Sequence, residues 1–184
     1  MVEFVLATAL LIVPLVLGVM VIGLSLIRAI HVGQVNRDTG HMFSTGVDFS
    51  GAAQQNMVRY LAGSLDFSAG GKGVVILSAV QLIGPNDCSN CANLGLPVFT
   101  QRIIIGNAGL RASAFGAPSP ALVDPATGSV ENYLTDAGAR AASAPVAGMQ
   151  PSEIVYVSET YYKSSDYDIA GYLTGSGVYA LGLF

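Results

Sequence analysis

Residues 4–27 read FVLATALLIVPLVLGVMVIGLSLI, 24 positions without a charge. A helix rises about 1.5 Å per residue, so the run reaches about 36 Å, against a hydrocarbon core of about 30 Å. A cleaved signal would have a shorter apolar region behind a basic one. Here no Lys or Arg precedes the run, and Arg28 follows it. The run is therefore expected to be a retained, membrane-stored stem helix over residues 1–30. Because Lys and Arg beside a span set its orientation, the missing basic flank leads us to expect a processed N-terminus shortly before Met1. The rest of the composition agrees. The chain is 52% hydrophobic and 11% charged, where a soluble domain carries about 25% charged residues. Disorder is excluded by that hydrophobicity. A net charge of -4 with 8 Lys+Arg speaks against a nucleic-acid partner, since phosphates need many cations.

Within the run, Pro14 removes a helix hydrogen bond and is expected to kink or locally melt the helix. Gly18 and Gly23 are small positions where a second helix can approach closely. Glu3 is the one charge in the first 27 residues. It marks the membrane boundary or seeks a cation, most simply the amine of a neighbouring copy.

The string Met1-Val2-Glu3-Phe4 ahead of a long apolar helix resembles the start of type IV pilin-like proteins. It is most similar to the TadE-like pilins and pseudopilins of tight-adherence systems. The resemblance implies a leader cut by a prepilin peptidase and storage in the inner membrane. It then implies export by a pilus assembly machinery into an extracellular helical homopolymer used for adhesion or surface contact. Glu3, Phe4, Pro14, Gly18 and Gly23 would be the subunit-assembly positions. The alternatives are a minor pseudopilin that primes or caps assembly, or a membrane-anchored binding module.

Residues 31–68 carry Val32, Val35, Met42, Phe43, Val47, Met57, Val58 and Leu61 at helical spacings, with polar residues between. They are expected to continue the stem as an amphipathic helix lying on the head. Gly40, Gly46 and Gly51 each weaken it by about 1 kcal/mol relative to Ala, which leaves room for a bend or break near Gly40.

Residues 69–184 read as a β-rich head. Runs at 74–83, 97–105, 153–163 and 170–184 are rich in Val, Ile, Tyr and Thr. In the third, Ile154, Tyr156, Ser158, Thr160 and Tyr162 face one side; Val155, Val157, Glu159, Tyr161 and Lys163 face the other. An antiparallel sheet covered by the helix is expected, hence an α+β fold. Between them, residues 113–150 turn to Ala, Gly, Pro, Ser and Thr. Pro118, Pro120, Pro125 and Pro145 block regular structure, so this segment is expected as a solvent-facing excursion with little to bury.

Cys88 and Cys91 are the only cysteines. A redox pair, half a zinc site and a small disulfide are the readings of C-x-x-C. Zinc needs four ligands and no second pair exists; a redox motif should open a helix. A loop-closing disulfide in an exported chain is expected. No catalytic motif is present, and the head has no His. Asp166 and Asp168, flanking Tyr167, read as solvated. No enzyme activity, cofactor or metal is expected.

Overall fold

The apolar run and the polar stretch after it form a single helix. In the computed structural model, residues 2–163 and 177–184 are described, residues 2–7 by their backbone alone. The helix, α1, is Val2–Ser44, about 65 Å long at the standard rise. It is helical across Pro14. Four strands follow: β1 Gly73–Leu82, β2 Pro97–Gly106, β3 Ile154–Tyr162 and β4 Val178–Leu183. They form one antiparallel sheet in the order β2-β1-β3-β4. The fold is α+β, a long N-terminal helix followed by a four-stranded sheet. Positions 170–176 of the expected last strand, together with Asp166 and Asp168, lie outside the described residues.

The upper half of α1 packs on the sheet, chiefly on β3 and β4. Its buried positions are Val32, Val35, Asn36, Thr39, Gly40 and Phe43, a stripe at spacings of three and four. The helix runs antiparallel to β3. Arg28 lies over the Tyr162 ring, Asn36 bonds Ser158 and Thr160, and the Phe43 ring meets Tyr156 edge-on at 5.3 Å. The Tyr162 end of the sheet is therefore the end nearest the apolar run.

The expected weakness at Gly40 does not appear. The helix continues through it, and a Cβ added there would stand 2.8 Å from the Ser158 Cβ and closer still to the Phe184 ring. At Gly40 the stem approaches the sheet too closely to leave room for a side chain. The helix is capped six residues later, at Gly46, which adopts φ 92°. The Gly46 amide donates to Phe43 O and the Val47 amide to Met42 O, the paired bonds of a Schellman cap. Residues 31–68 are thus two helices rather than one. After the turn comes α2, Ala52–Leu61. It buries Val58, while Met57 and Leu61, expected on the inner stripe, are exposed.

Alternation in the strands sorts two cores. Val75, Leu77, Ala79, Ile103, Ile105 and Tyr162 face the helices, with Val32, Val35, Phe43, Phe49 and Val58 opposite. On the far face lie Val80, Phe99, Val155 and Val157. A bulge lets β2 contribute to both. The register slips between Ala79 and Val80, leaving Thr100 unpaired opposite them. One extra residue reverses the side-chain alternation, so Phe99 faces away from α1 and Ile103 toward it.

The far face is covered by the 113–150 segment, which departs from the expected solvent-facing excursion. Phe115, Val130, Ala139 and Met149 are buried against Val80, Phe99, Val155 and Val157. The segment also closes the outer edge of β2. The Arg102 amide donates to Gly128 O at 2.7 Å, Val130 N to Thr100 O at 2.9 Å, and Ala141 N to Pro97 O at 2.9 Å. An exposed strand edge is a template for unwanted pairing, and this one is occupied. Its prolines exclude regular structure; they do not prevent burial.

Candidate functional site

Two regions have the chemistry of contact surfaces. The first is the stem below the head. It is long and apolar enough to cross a membrane. Leu10 is 82% exposed, and Leu11, Leu15, Val19, Ile22, Leu26 and Ile30 are exposed with it. Nothing stands within 4 Å of a Cβ added at Gly18 or Gly23, so both small positions are open to a neighbouring helix. The side chains of Glu3 and Phe4 lie outside the described residues; the backbone there is helical.

A polar joint fixes how the stem meets the head. The Ser158 hydroxyl donates toward Asn36 O at 3.1 Å and Asn36 Oδ1 at 3.0 Å; the Thr160 hydroxyl donates to the same Oδ1 at 3.0 Å. All three residues are buried. Apolar stripes tolerate sliding by a turn, whereas buried donors without acceptors cost about 1–3 kcal/mol each. This joint therefore holds one register of helix on sheet.

The second region is the end of the head nearest the apolar run. Arg28 sits 5.9 Å from the Tyr162 ring centroid. The Lys163 amide donates to Lys72 O at 2.7 Å, which brings these two exposed lysines' backbones together. Arg59 at the end of α2 donates from Nε to Phe67 O at 3.4 Å, and the Phe67 ring lies beside Tyr162. Ser64 and Leu65, just past α2, share a cleft with Leu24, Ile27, Arg28 and His31. The helix α2 thus descends to the level where the apolar run ends.

Inside the head, Glu159 is buried and accepts bonds from three groups. They are the Ala114 amide at 2.8 Å, the Tyr179 hydroxyl at 2.6 Å and the Ser113 hydroxyl. The Arg111 guanidinium lies 4.0 Å from the Tyr179 ring centroid. Burial, and then the bond to Glu159, push the Tyr179 phenol well above its ordinary pKa. Arg102 donates from Nη1 to Ser78 Oγ at 2.7 Å. Burial lowers its pKa to about 10, against the opposing pull of Glu159. These contacts tie the 113–150 segment, β3 and β4 together. Among the described residues no group of three or more His, Cys, Asp or Glu stands close enough to hold a metal ion.

Cys88 and Cys91 form a disulfide, with Cα atoms 5.9 Å apart, inside the range such bridges span. It sits in the β1–β2 loop, at the end of the head far from the apolar run. Asp87 organises this loop. Its carboxylate accepts from the Gly84 amide at 2.7 Å, Ser152 Oγ at 2.8 Å and Gln81 Nε2 at 2.9 Å. These bonds, the Gly84 amide foremost, hold the carboxyl below the usual carboxylate range.

Of the residues expected to carry assembly, α1 brings Pro14, Gly18 and Gly23 onto one exposed stem. Sequence reasoning missed the Asn36 joint and the exposed face of α2. A lone Asn among apolar positions, and an exposed Tyr60 among Gln and Asn, have no signature without the fold. Comparison of the chain with protein-family models, curated proteins and solved structures gives no match.

Proposed function

We propose that this chain is a structural subunit of an extracellular type IV pilus-like filament serving adhesion or surface contact. It would be stored in the inner membrane, processed by a prepilin peptidase and polymerised by a pilus assembly machinery. The observation that carries this reading is the exposure of large apolar side chains around the stem from Leu10 to Ile30. At about 25 cal/mol per Å², a few of these in water cost several kcal/mol. The stem therefore needs lipid or copies of itself around it. Moving from bilayer to helix bundle costs little, and the heads then form the outer layer. A contact that repeats without closing gives a helical filament. Glu3 would pair with a cation of a neighbouring copy within that bundle.

Cryo-electron microscopy of filaments detached from cells tests this reading. The expected map has stems bundled on the axis and heads outside. A full-length chain that stays monomeric in water without detergent overturns it. A minor pseudopilin or anchored module is the second reading, favoured by the apolar face of α2 at the membrane end of the head.

A further inference from the structure

We infer that the membrane-proximal end of the head is a docking surface for an anionic phospholipid bilayer, with the C-terminal end of α2 set against the headgroups. The inference rests on reading α1 as a membrane anchor and goes beyond it, because an anchor alone leaves the head free to stand off the membrane.

Three observations converge. The first is position. Ser64 and Leu65 pack at the level of Leu24, Ile27, Arg28 and His31, where the apolar run gives way to charge. A bilayer around that run meets the end of α2 at its surface. The second is the outer face of α2. Val58 and Ala62 point into the core, so positions three and four apart on the opposite side point out. There Tyr60 is 85% exposed, Leu61 45% and Met57 38%. An exposed aromatic beside aliphatic side chains suits the boundary between headgroups and acyl chains. The third is charge. Arg28, Arg59, Lys72 and Lys163 gather at this end; the chain has 8 Lys+Arg in all and is acidic overall. The described acidic side chains here are Asp66, exposed and near enough to Arg59 to feel its charge, with its carboxylate accepting from the Ser68 amide at 2.9 Å, and Glu159, buried and bonded within the head. Cations at a membrane boundary are drawn to anionic headgroups and fade within a Debye length.

The chain has no Trp, so one substitution introduces a single indole. Full-length Tyr60→Trp, Leu10→Trp and Leu94→Trp are each reconstituted into phosphatidylcholine vesicles with brominated acyl chains, with and without phosphatidylglycerol. Leu10 lies in the apolar run and reports the anchor; Leu94, in the loop that holds the disulfide, reports the far end of the head. The indole at position 60 is expected to shift to the blue and lose most of its emission when phosphatidylglycerol is present, while the indole at position 94 keeps its emission. Added to Tyr60→Trp, Lys72→Gln and Lys163→Gln are each expected to lower its docked-to-undocked ratio about 5-fold. Quenching at position 10 without quenching at position 60 overturns the docking surface and leaves the anchor standing. An unquenched indole at position 10 overturns the anchor and this inference with it. Quenching at position 60 that ignores phosphatidylglycerol overturns the anionic-lipid assignment. A blue shift without quenching that grows with protein concentration gives the surface to a second copy and overturns it as well.

Discussion

The Thr160 hydroxyl of the third strand donates to the side-chain oxygen of Asn36 on the stem helix at 3.0 Å. Ser158 shares that acceptor. Asn36→Ala strands the Thr160 hydroxyl in a buried layer, while Ser158 keeps the Asn36 backbone oxygen at 3.1 Å. An orphaned donor costs about 1–3 kcal/mol, so we expect a loss of about 1–3 kcal/mol in denaturant unfolding of the full chain in micelles. A double-mutant cycle with Thr160→Val should show coupling of at least about 0.5 kcal/mol. Additive losses would count against the joint.

Gly40 and Gly18 should respond oppositely to Ala. Helix propensity favours Ala over Gly by about 1 kcal/mol. At Gly40 the added methyl meets Ser158 and Phe184, and overpacking costs about 1–3 kcal/mol. Gly40→Ala should therefore unfold no later than the parent. Gly18→Ala meets nothing within 4 Å and should leave the unfolding of the monomer no weaker. If stems bundle through Gly18, a bulkier Gly18→Leu should impair filament yield alone.

Phe115→Ala and Met149→Ala test whether the 113–150 segment is part of the core. Such truncations of buried side chains cost about 2–5 kcal/mol. A solvent-facing loop would tolerate both. Thermal unfolding, read by circular dichroism, separates the two outcomes.

Asp87 makes the far loop sensitive to acid. Its folded pKa lies below the ordinary value of 3.8. A depressed carboxylate stabilises the fold above the ordinary value, and that contribution is lost as pH falls through the folded one. The Gly84 amide resonance should therefore titrate with a midpoint below 3.8. Asp87→Asn should be less stable than the parent at neutral pH, the difference shrinking as the solution is acidified. A midpoint at or above the ordinary value would contradict the bonding.

Glu3→Gln and Glu3→Ala should slow or abolish filament formation while a head beginning near residue 30 stays folded. Normal assembly of both variants would remove the charge-pair role. Electron microscopy of cell-surface filaments reads the first part and circular dichroism the second.

The stem and the four strands are legible because each rests on a local pattern. A charge-free run of 24 residues has few fates, and the alternation through Tyr156, Ser158 and Thr160 matches the faces they occupy. What cannot be read locally depends on distant partners. Gly40 looks like a weak point in its own helix; its reason is Ser158, brought up from the third strand. Phe115, Val130 and Met149 follow no period, so nothing local marks them as buried. The bulge at Thr100 reverses an alternation that the flanking residues alone would continue. The face that α2 shows to solvent depends on Val58 finding the core, which favours one side of a short helix with apolar residues on both.

The antiparallel course of the stem along the third strand has a mechanical consequence. Tension applied along α1 runs parallel to its seam with the sheet. Val32, Val35, Asn36, Gly40 and Phe43 then share the load at once, because each must slide past its partner together with the others. A seam pulled crosswise would open one contact after another at low force. The same helix continues into the apolar run without a joint, so a pull on the stem reaches the head as translation of a rigid rod, with the Asn36 hydrogen bonds acting as its detent.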